Sequence, residues 1–253
     1  MNTRLGAVYP ELAGKRVLVT GGASGIGLCF LEAFLAQGCA VVAVDRDPAA
    51  IAAARERLDG HDAVFIEADL AQAGNAGAVV RQAAVPDGLD ILITNAANDT
   101  RHAWNDVTEA SWRGALAINL DHQFFCAQAA ALIMEHHRSG VIIFIGSVTA
   151  RRPRGAMVGY IAAKSAIEGM TRALARELSP AGIRVTAIIP GAIDTPRQQA
   201  LWRTPEIEAQ IRKDQATPEL LDGWDVAALA LFLSSAGARG CTGQTYSLDG
   251  GLT

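Results

Sequence analysis

A tyrosine and a lysine four residues apart, Tyr160 and Lys164, follow a serine, Ser147, by thirteen positions. On a helix that spacing stacks the two side chains on one face, one turn apart. A phenol with an ordinary pKa of about 10 is a poor proton acceptor at neutral pH. An ammonium within a few ångströms lowers the energy of its anion, which makes Tyr160 a candidate general acid/base. Only three lysines, Lys15, Lys164 and Lys213, stand among 22 basic residues, which adds weight to one beside Tyr160. Ser147 lies just past the apolar run Val141–Ile145, which reads as a buried parallel strand. Its hydroxyl is then expected at the strand's carboxyl end, where open α/β sheets place their ligands. An ordinary helix with one Tyr and one Lys is the plainer reading of the pair alone, so the elements around it have to decide.

Those elements begin with a strand over residues 15–20, a glycine-rich turn from Gly21 to Gly27 and a helix from Leu28 to about Gln37. Strand, glycine turn and helix are what a phosphate-binding loop requires: Gly21, Ser24, Gly25, Ile26 and Gly27 would let backbone approach a pyrophosphate at the helix start. The spacing is G-x-x-x-G-x-G, not the common G-x-G-x-x-G. A second strand, Ala40–Val44, ends at Asp45, eighteen residues after Gly27. A carboxylate there can accept hydrogen bonds from the adenosine ribose and repels a 2′-phosphate, which favours NAD; Arg46 next to it keeps NADP open. Further strands are expected at 63–66, closing at Asp69-Leu70, then at 89–94, 141–145, 183–189 and 242–248, with helical patterns between. Alternating β and α at short spacing, without linker or repeat, implies one domain with a parallel, doubly wound sheet.

Polar groups at the same sheet edge are candidates for substrate contact: Asn98, Arg101 and His102 after the fourth strand. The stretch from Val107 to Ala131 reads as one or two long helices with Asn119 inside. That amide either satisfies backbone groups or belongs to a proton relay. A segment at about 195–222, with Pro196, Pro205 and Pro218, reads as a helical flap over the site. Arg151, Arg152 and Arg154 read as a loop at the mouth of a site or an interface. No metal is expected, because no histidine has a ligand-spaced partner. A net charge of −4 gives no footprint for nucleic acid. No apolar run reaches the roughly 18 residues of a membrane span. The segment Met1–Gly14 is too polar for a signal peptide, and scattered Cys29, Cys39, Cys126 and Cys241 suggest reduced thiols and a cytoplasmic setting.

Taken in order, Thr20-Gly21-xxx-Gly25-Ile26-Gly27, Asp69, Asn95-Ala96, Asn119, Ser147, Tyr160-xxx-Lys164 and Pro190-Gly191 span nearly the whole chain. In this the chain resembles the short-chain dehydrogenase/reductases. The resemblance implies a Rossmann-like α/β fold with seven strands and helices on both faces, NAD(P) as cofactor, and a homotetramer. It also implies roles: Ser147 polarises the substrate oxygen, Tyr160 exchanges its proton, Lys164 binds the nicotinamide ribose and lowers the tyrosine pKa, and Asn119 holds a relay water. By the same carry-over Asp69 and Leu70 contact adenine, Asn95, Ala96 and Pro190 border the cofactor, and Ile193 and Thr195 contact the carboxamide. Thr94 and Ala97 depart from the family's Asn-Asn-Ala-Gly: Ala97 adds a Cβ near the adenosine ribose and Thr94 replaces a strand-anchoring amide, neither touching the catalytic group. Tyr9-Pro10, Asn98-Asp99-x-Arg101-His102, Arg197-Gln198 and Thr204-Pro205-Glu206 look like bacterial aldose 1-dehydrogenases of the D-xylose type. That similarity implies oxidation of a sugar's C1 hydroxyl to the lactone, with Asn98, Arg101, His102 and Gln198 among the hydroxyl-binding groups. A carbonyl reductase or polyol dehydrogenase of the same fold, and a non-catalytic dinucleotide sensor, are the alternatives.

Overall fold

The apolar runs pair as the alternation demands. A computed structural model describes residues 5–86 and 88–253; the first four residues of the Met1–Gly14 segment lie outside them. Seven strands, β1 (Arg16–Thr20), β2 (Ala40–Asp45), β3 (Ala63–Glu67), β4 (Ile91–Thr94), β5 (Gly140–Ile145), β6 (Ile183–Pro190) and β7 (Thr245–Leu248), form one sheet in the order β3-β2-β1-β4-β5-β6-β7. Every pairing is parallel. Parallel strands need crossovers, which the helices supply: α1 (Gly25–Ala36), α2 (Pro48–Arg57), α3 (Asn75–Ala83), α4 (Glu109–Leu116), α5 (His122–His137), α6 (Val158–Leu178), α7 (Pro196–Leu201), α8 (Pro205–Asp214) and α9 (Gly223–Ser234).

Successive residues of β1 point to opposite faces. Val17 and Val19 join a core with Phe30, Leu31 and Phe34 of α1 and with Val226 and Leu231 of α9. Leu18 joins the other core, with Val79 and Val80 of α3, Met134 of α5 and Ile167 of α6. Both faces are therefore covered, which is why the strands carry unbroken apolar runs. The chain leaves β1 toward β2 on one side and resumes with β4 on the other. The segments following β1 and β4 so diverge at the carboxyl edge and leave a crevice there.

Four boundaries differ from the sequence reading, each for a local reason. β1 and β4 start one and two residues late, because the Asp90 carboxylate takes the Arg16 N–H at 2.9 Å and the Lys15 ammonium at 2.8 Å. β7 starts at Thr245, since Thr242 meets β6 through its side chain, accepting from the Val185 N–H at 3.1 Å. The long helix expected across Asn119 is broken: a π-helical turn, Ala117–Asp121, separates α4 from α5. Of the prolines in the expected flap, Pro196 and Pro205 each begin a helix, whereas Pro218 lies between α8 and α9. Thr195 caps α7 ahead of Pro196 and Thr204 caps α8 ahead of Pro205.

Candidate active site

The carboxyl edge of β1, β2 and β4 builds one half of the crevice. Gly21 and Gly25 hold φ of +62° and +54°, and a Cβ at Gly21 would come within 2.9 Å of the Ala96 Cα. Only glycine suits such a conformation at so close an approach. The amide of Asn95 fixes that approach by donating to the Thr20 and Gly21 carbonyls at 3.1 and 3.0 Å. Ser24 precedes α1 in extended backbone with its side chain free of any cap hydrogen bond. The first N–H groups of α1 therefore face the crevice without intrahelical partners, which suits an anion. At the tip of β2, Asp45 accepts from the N–H groups of Ala23, Arg46 and Asp47 at 2.8–3.2 Å, which holds its carboxylate at the crevice wall.

These groups surround a cavity of about 410 Å³ lined by Gly21, Ser24, Gly25, Ile26, Asp45, Arg46, Asp69, Leu70, Asn95 and Ala96. It is continuous with a second cavity of about 310 Å³ through shared walls at Ile26, Asn95, Asp99, Tyr160, Thr195 and Gln198. Lys164, Pro190 and Ile193 line the second. Phosphate cradle, ribose-height carboxylate and extended crevice fit a dinucleotide. Gly27 is a correction: it does not line the crevice. A Cβ on it would stand 1.9 Å from the Gly21 carbonyl oxygen, so it serves the packing of α1 under the loop.

At the junction of the cavities the structure brings Ser147, Tyr160 and Lys164 together. Ser147 follows β5 in extended backbone; its side chain lies 2.9 Å from the Thr149 hydroxyl and close enough to Tyr160 to act on its titration. Tyr160 stands in the first turn of α6 with Lys164 one turn on, the ammonium 5.7 Å from the phenol ring centre. Lys164 is 1 % exposed and donates to the Ile145 carbonyl at 2.8 Å. The electrostatics run against the expectation that Lys164 depresses the phenol. Burial pushes Tyr160 up to about 12, opposed by the Ser147 hydrogen bond and reinforced by the Asp99 charge. Burial likewise pulls Lys164 down to about 7. Desolvation outweighs the attraction that spacing alone suggested, and Ser147 is what favours the phenolate.

Behind the pair runs a buried polar strip. Thr94 donates to Gln123 at 2.9 Å, and Gln123 donates to the Asn119 carbonyl at 3.2 Å. The β4 departure at Thr94 is thus anchored through α5. Asn119 is 1 % exposed and does not line the cavities. Its amide is spent on backbone, giving to Asn98 and Ala115 carbonyls at 3.0 and 2.9 Å and accepting from the Asn98 N–H at 2.9 Å. The π turn makes that reach possible by displacing Asn119 from the regular helix surface. His122 beside it is held neutral, pulled down to about 3 by burial and by Lys164.

The second cavity is walled by the segments after β4 and β5 and by α7 and α8. Arg101, Ser147, Tyr160 and Gln198 line it. Asn98 does not: its side chain closes a turn onto Thr100 at 2.6 Å, and it borders only the dinucleotide half. His102 lies outside both cavities, its Nδ1 3.2 Å from the Thr100 carbonyl. Several wall residues escaped the sequence reading. Asp99 takes Arg197 at 3.0 Å and Gln198 at 3.1 Å, tying α7 across the crevice. Arg101 stacks on Trp202, its guanidinium 3.9 Å from the ring. Met157, Ile207 and Ile211 supply an apolar wall. An isolated aromatic or aspartate gives no signal for such contacts before the loops are placed. Of the arginines expected at the mouth of a site, Arg152 and Arg154 line the cavity, whereas Arg151 turns to Glu168 and to Thr245 and Ser247 beside β7. Among the described residues no helix is long and apolar enough to cross a membrane, and no cluster of three metal-ligating side chains occurs.

Comparison with known proteins places this geometry in context. A family model described as enoyl-(acyl carrier protein) reductase matches residues 21–253. A D-xylose 1-dehydrogenase of Caulobacter vibrioides is 42 % identical over 97 % of this chain and 98 % of its own. A galactitol 2-dehydrogenase (L-tagatose-forming) of Cereibacter sphaeroides is 34 % identical over 96 % of both. A crystal structure of a Burkholderia thailandensis oxidoreductase of the short-chain dehydrogenase/reductase family superposes with a TM-score of 0.85 at 34 % identity, covering 95 % of this chain and 93 % of that one.

Proposed function

Because the chain belongs to the short-chain dehydrogenase/reductases, oxidoreductases whose Rossmann fold binds a nicotinamide dinucleotide, we propose that it oxidises the C1 hydroxyl of an aldose to the aldonolactone with NAD. The observation that carries the reading is Ser147, Tyr160 and Lys164 together where the dinucleotide crevice opens into a pocket that Arg101 and Gln198 also line. The bound nicotinamide would accept the hydride from C1. Ser147 would hold the C1 oxygen, and Tyr160 would take its proton. Lys164 would bind the nearby ribose, its charge lowering the energy of the phenolate once it is protonated. Asn119 would act as a positioning residue, setting the Asn98 segment against the cofactor. Asp45 favours NAD over NADP by repelling a 2′-phosphate, with Arg46 moderating that preference. Arg101 and Gln198 offer hydrogen bonds to sugar hydroxyls, each of which needs a partner once buried. A small-molecule sugar, a homotetrameric assembly and a cytoplasmic setting complete the reading.

A polyol dehydrogenase is the second reading, favoured by the galactitol 2-dehydrogenase likeness. The two separate on a panel of aldopentoses, aldohexoses, their acidic derivatives and polyols, offered with NAD while absorbance at 340 nm is followed. NADH is expected from at least one aldose, and Tyr160→Phe should abolish it while NADH binding stays measurable. Silence with every aldose alongside turnover of a polyol would sink the aldose reading; turnover retained in Tyr160→Phe would sink the role of the phenol.

A further inference from the structure

Resting on that aldose reading, we propose that the preferred sugar carries an anionic group, a carboxylate or a phosphate monoester, at the end away from C1. The substrate half of the crevice is lined by Arg101, Arg152, Arg154 and Arg203 against one carboxylate, Asp99. A chain with a net charge of −4 has gathered positive charge here, so the pocket is no extension of a basic surface. None of the four arginines lines the dinucleotide half, so the cofactor's phosphates do not account for them.

Their partners decide how much charge is left over. Asp99 is engaged by Arg197 and Gln198. Arg152 is neutralised by Asp214 at 2.6 Å. Arg101 lies on the face of Trp202, which steadies a cation without cancelling its charge. Arg203 gives one nitrogen to the Ala192 carbonyl at 3.0 Å; its other terminal nitrogen, shielded from solvent, has no partner. Arg154 makes no hydrogen bond or ion pair among the described residues. Three guanidiniums from three separate segments, after β4, after β5 and between α7 and α8, thus meet one cavity with none of them in an ion pair; the carboxylate near Arg154, Asp214, is already bound to Arg152.

Neutral hydroxyls do not call for this. A sugar ring is served by amides, hydroxyls and carboxylates, whereas guanidinium forks match the oxygens of a carboxylate or phosphate. Like charges sharing a partly enclosed cleft also repel, and an anionic ligand relieves that repulsion. With C1 held at Ser147 and Tyr160, the anion belongs toward the loops that carry Arg154 and Arg203.

The test is a matched series differing at C6: D-glucose, D-glucuronate and D-glucose 6-phosphate, with D-galactose and D-galacturonate beside them. Each is offered with NAD at low and high salt. We expect kcat/KM for at least one anionic sugar to exceed that of its neutral counterpart by about tenfold, the advantage shrinking as salt screens the arginines. Which of carboxylate and phosphate gives it identifies the anion. Arg154→Gln, at an exposed position with no hydrogen bond or ion pair to lose, should cut that preference severalfold, and Arg203→Gln should do the same. Neutral sugars oxidised as well as both anionic forms would overturn the inference and leave the aldose reading standing. Silence with every aldose would take both. A preference untouched by either substitution would also overturn it.

Discussion

Replacing Lys164 by Met should stabilise the fold while abolishing turnover, and the gain should depend on pH. The ammonium is 1 % exposed, and its hydrogen bond to the Ile145 carbonyl is not an ion pair. Burial lowers its pKa from 10.5 to about 7. Below that value folded and unfolded chains both hold the proton, and the whole penalty of burying a cation is present. Between about 7 and 10.5 the unfolded chain keeps a proton that the folded chain has released, so the wild type gains stability as pH rises through this window. At about 1.36 kcal/mol per pH unit the ceiling is about 5 kcal/mol. Met is of similar length and carries no charge, but it gives up a charged hydrogen bond worth about 1.5–3 kcal/mol. The variant should therefore be more stable by about 2–4 kcal/mol near pH 6 and lose that advantage by about pH 10. Tyr160, pushed up to about 12, costs both chains alike above pH 10 and cancels in the difference. Urea unfolding followed by tryptophan fluorescence across this range gives the comparison directly. A stability difference that stays flat with pH, or widens as pH rises, would refute the buried-cation argument.

Two further substitutions probe the crevice. Asp45→Asn keeps an acceptor for the loop N–H groups and removes the charge facing a 2′-phosphate, so the ratio of kcat/KM for NADP to that for NAD should rise by about tenfold, on the order of 1.4 kcal/mol; an unchanged ratio would dismiss the ribose assignment. Asp99→Asn removes both the anchor of α7 and a charge that raises the Tyr160 pKa. The rise of kcat/KM with pH, set by Tyr160 as base, should move to lower pH, and KM should rise. Global stability should change by less than about 1 kcal/mol, because Arg197 is half exposed in that pair.

Periodicity and turn chemistry carried the sheet. Runs such as Val17–Val19 and Ile142–Ile145 are apolar on both faces because both faces are covered, and that demand is written residue by residue. Glycines at 21 and 25 and the i, i+4 placement of Tyr160 and Lys164 are equally local, so the tight turn after β1 and the stacking of that pair on one helix face were legible without coordinates. Contacts between segments distant in the chain were not. The spacing of Tyr160 and Lys164 predicted attraction, yet the balance of their pKa values is set by desolvation, a property of everything packed around them. Nothing local told that Asn119 would sit in a π turn and spend its amide on the Asn98 backbone. Nor could spacing show that Asp99 would reach Arg197, 98 positions away, or that Arg101, Arg154 and Arg203 would share one cavity. Those facts depend on where loops from separate crossovers converge at the carboxyl edge, and only tertiary packing fixes that convergence.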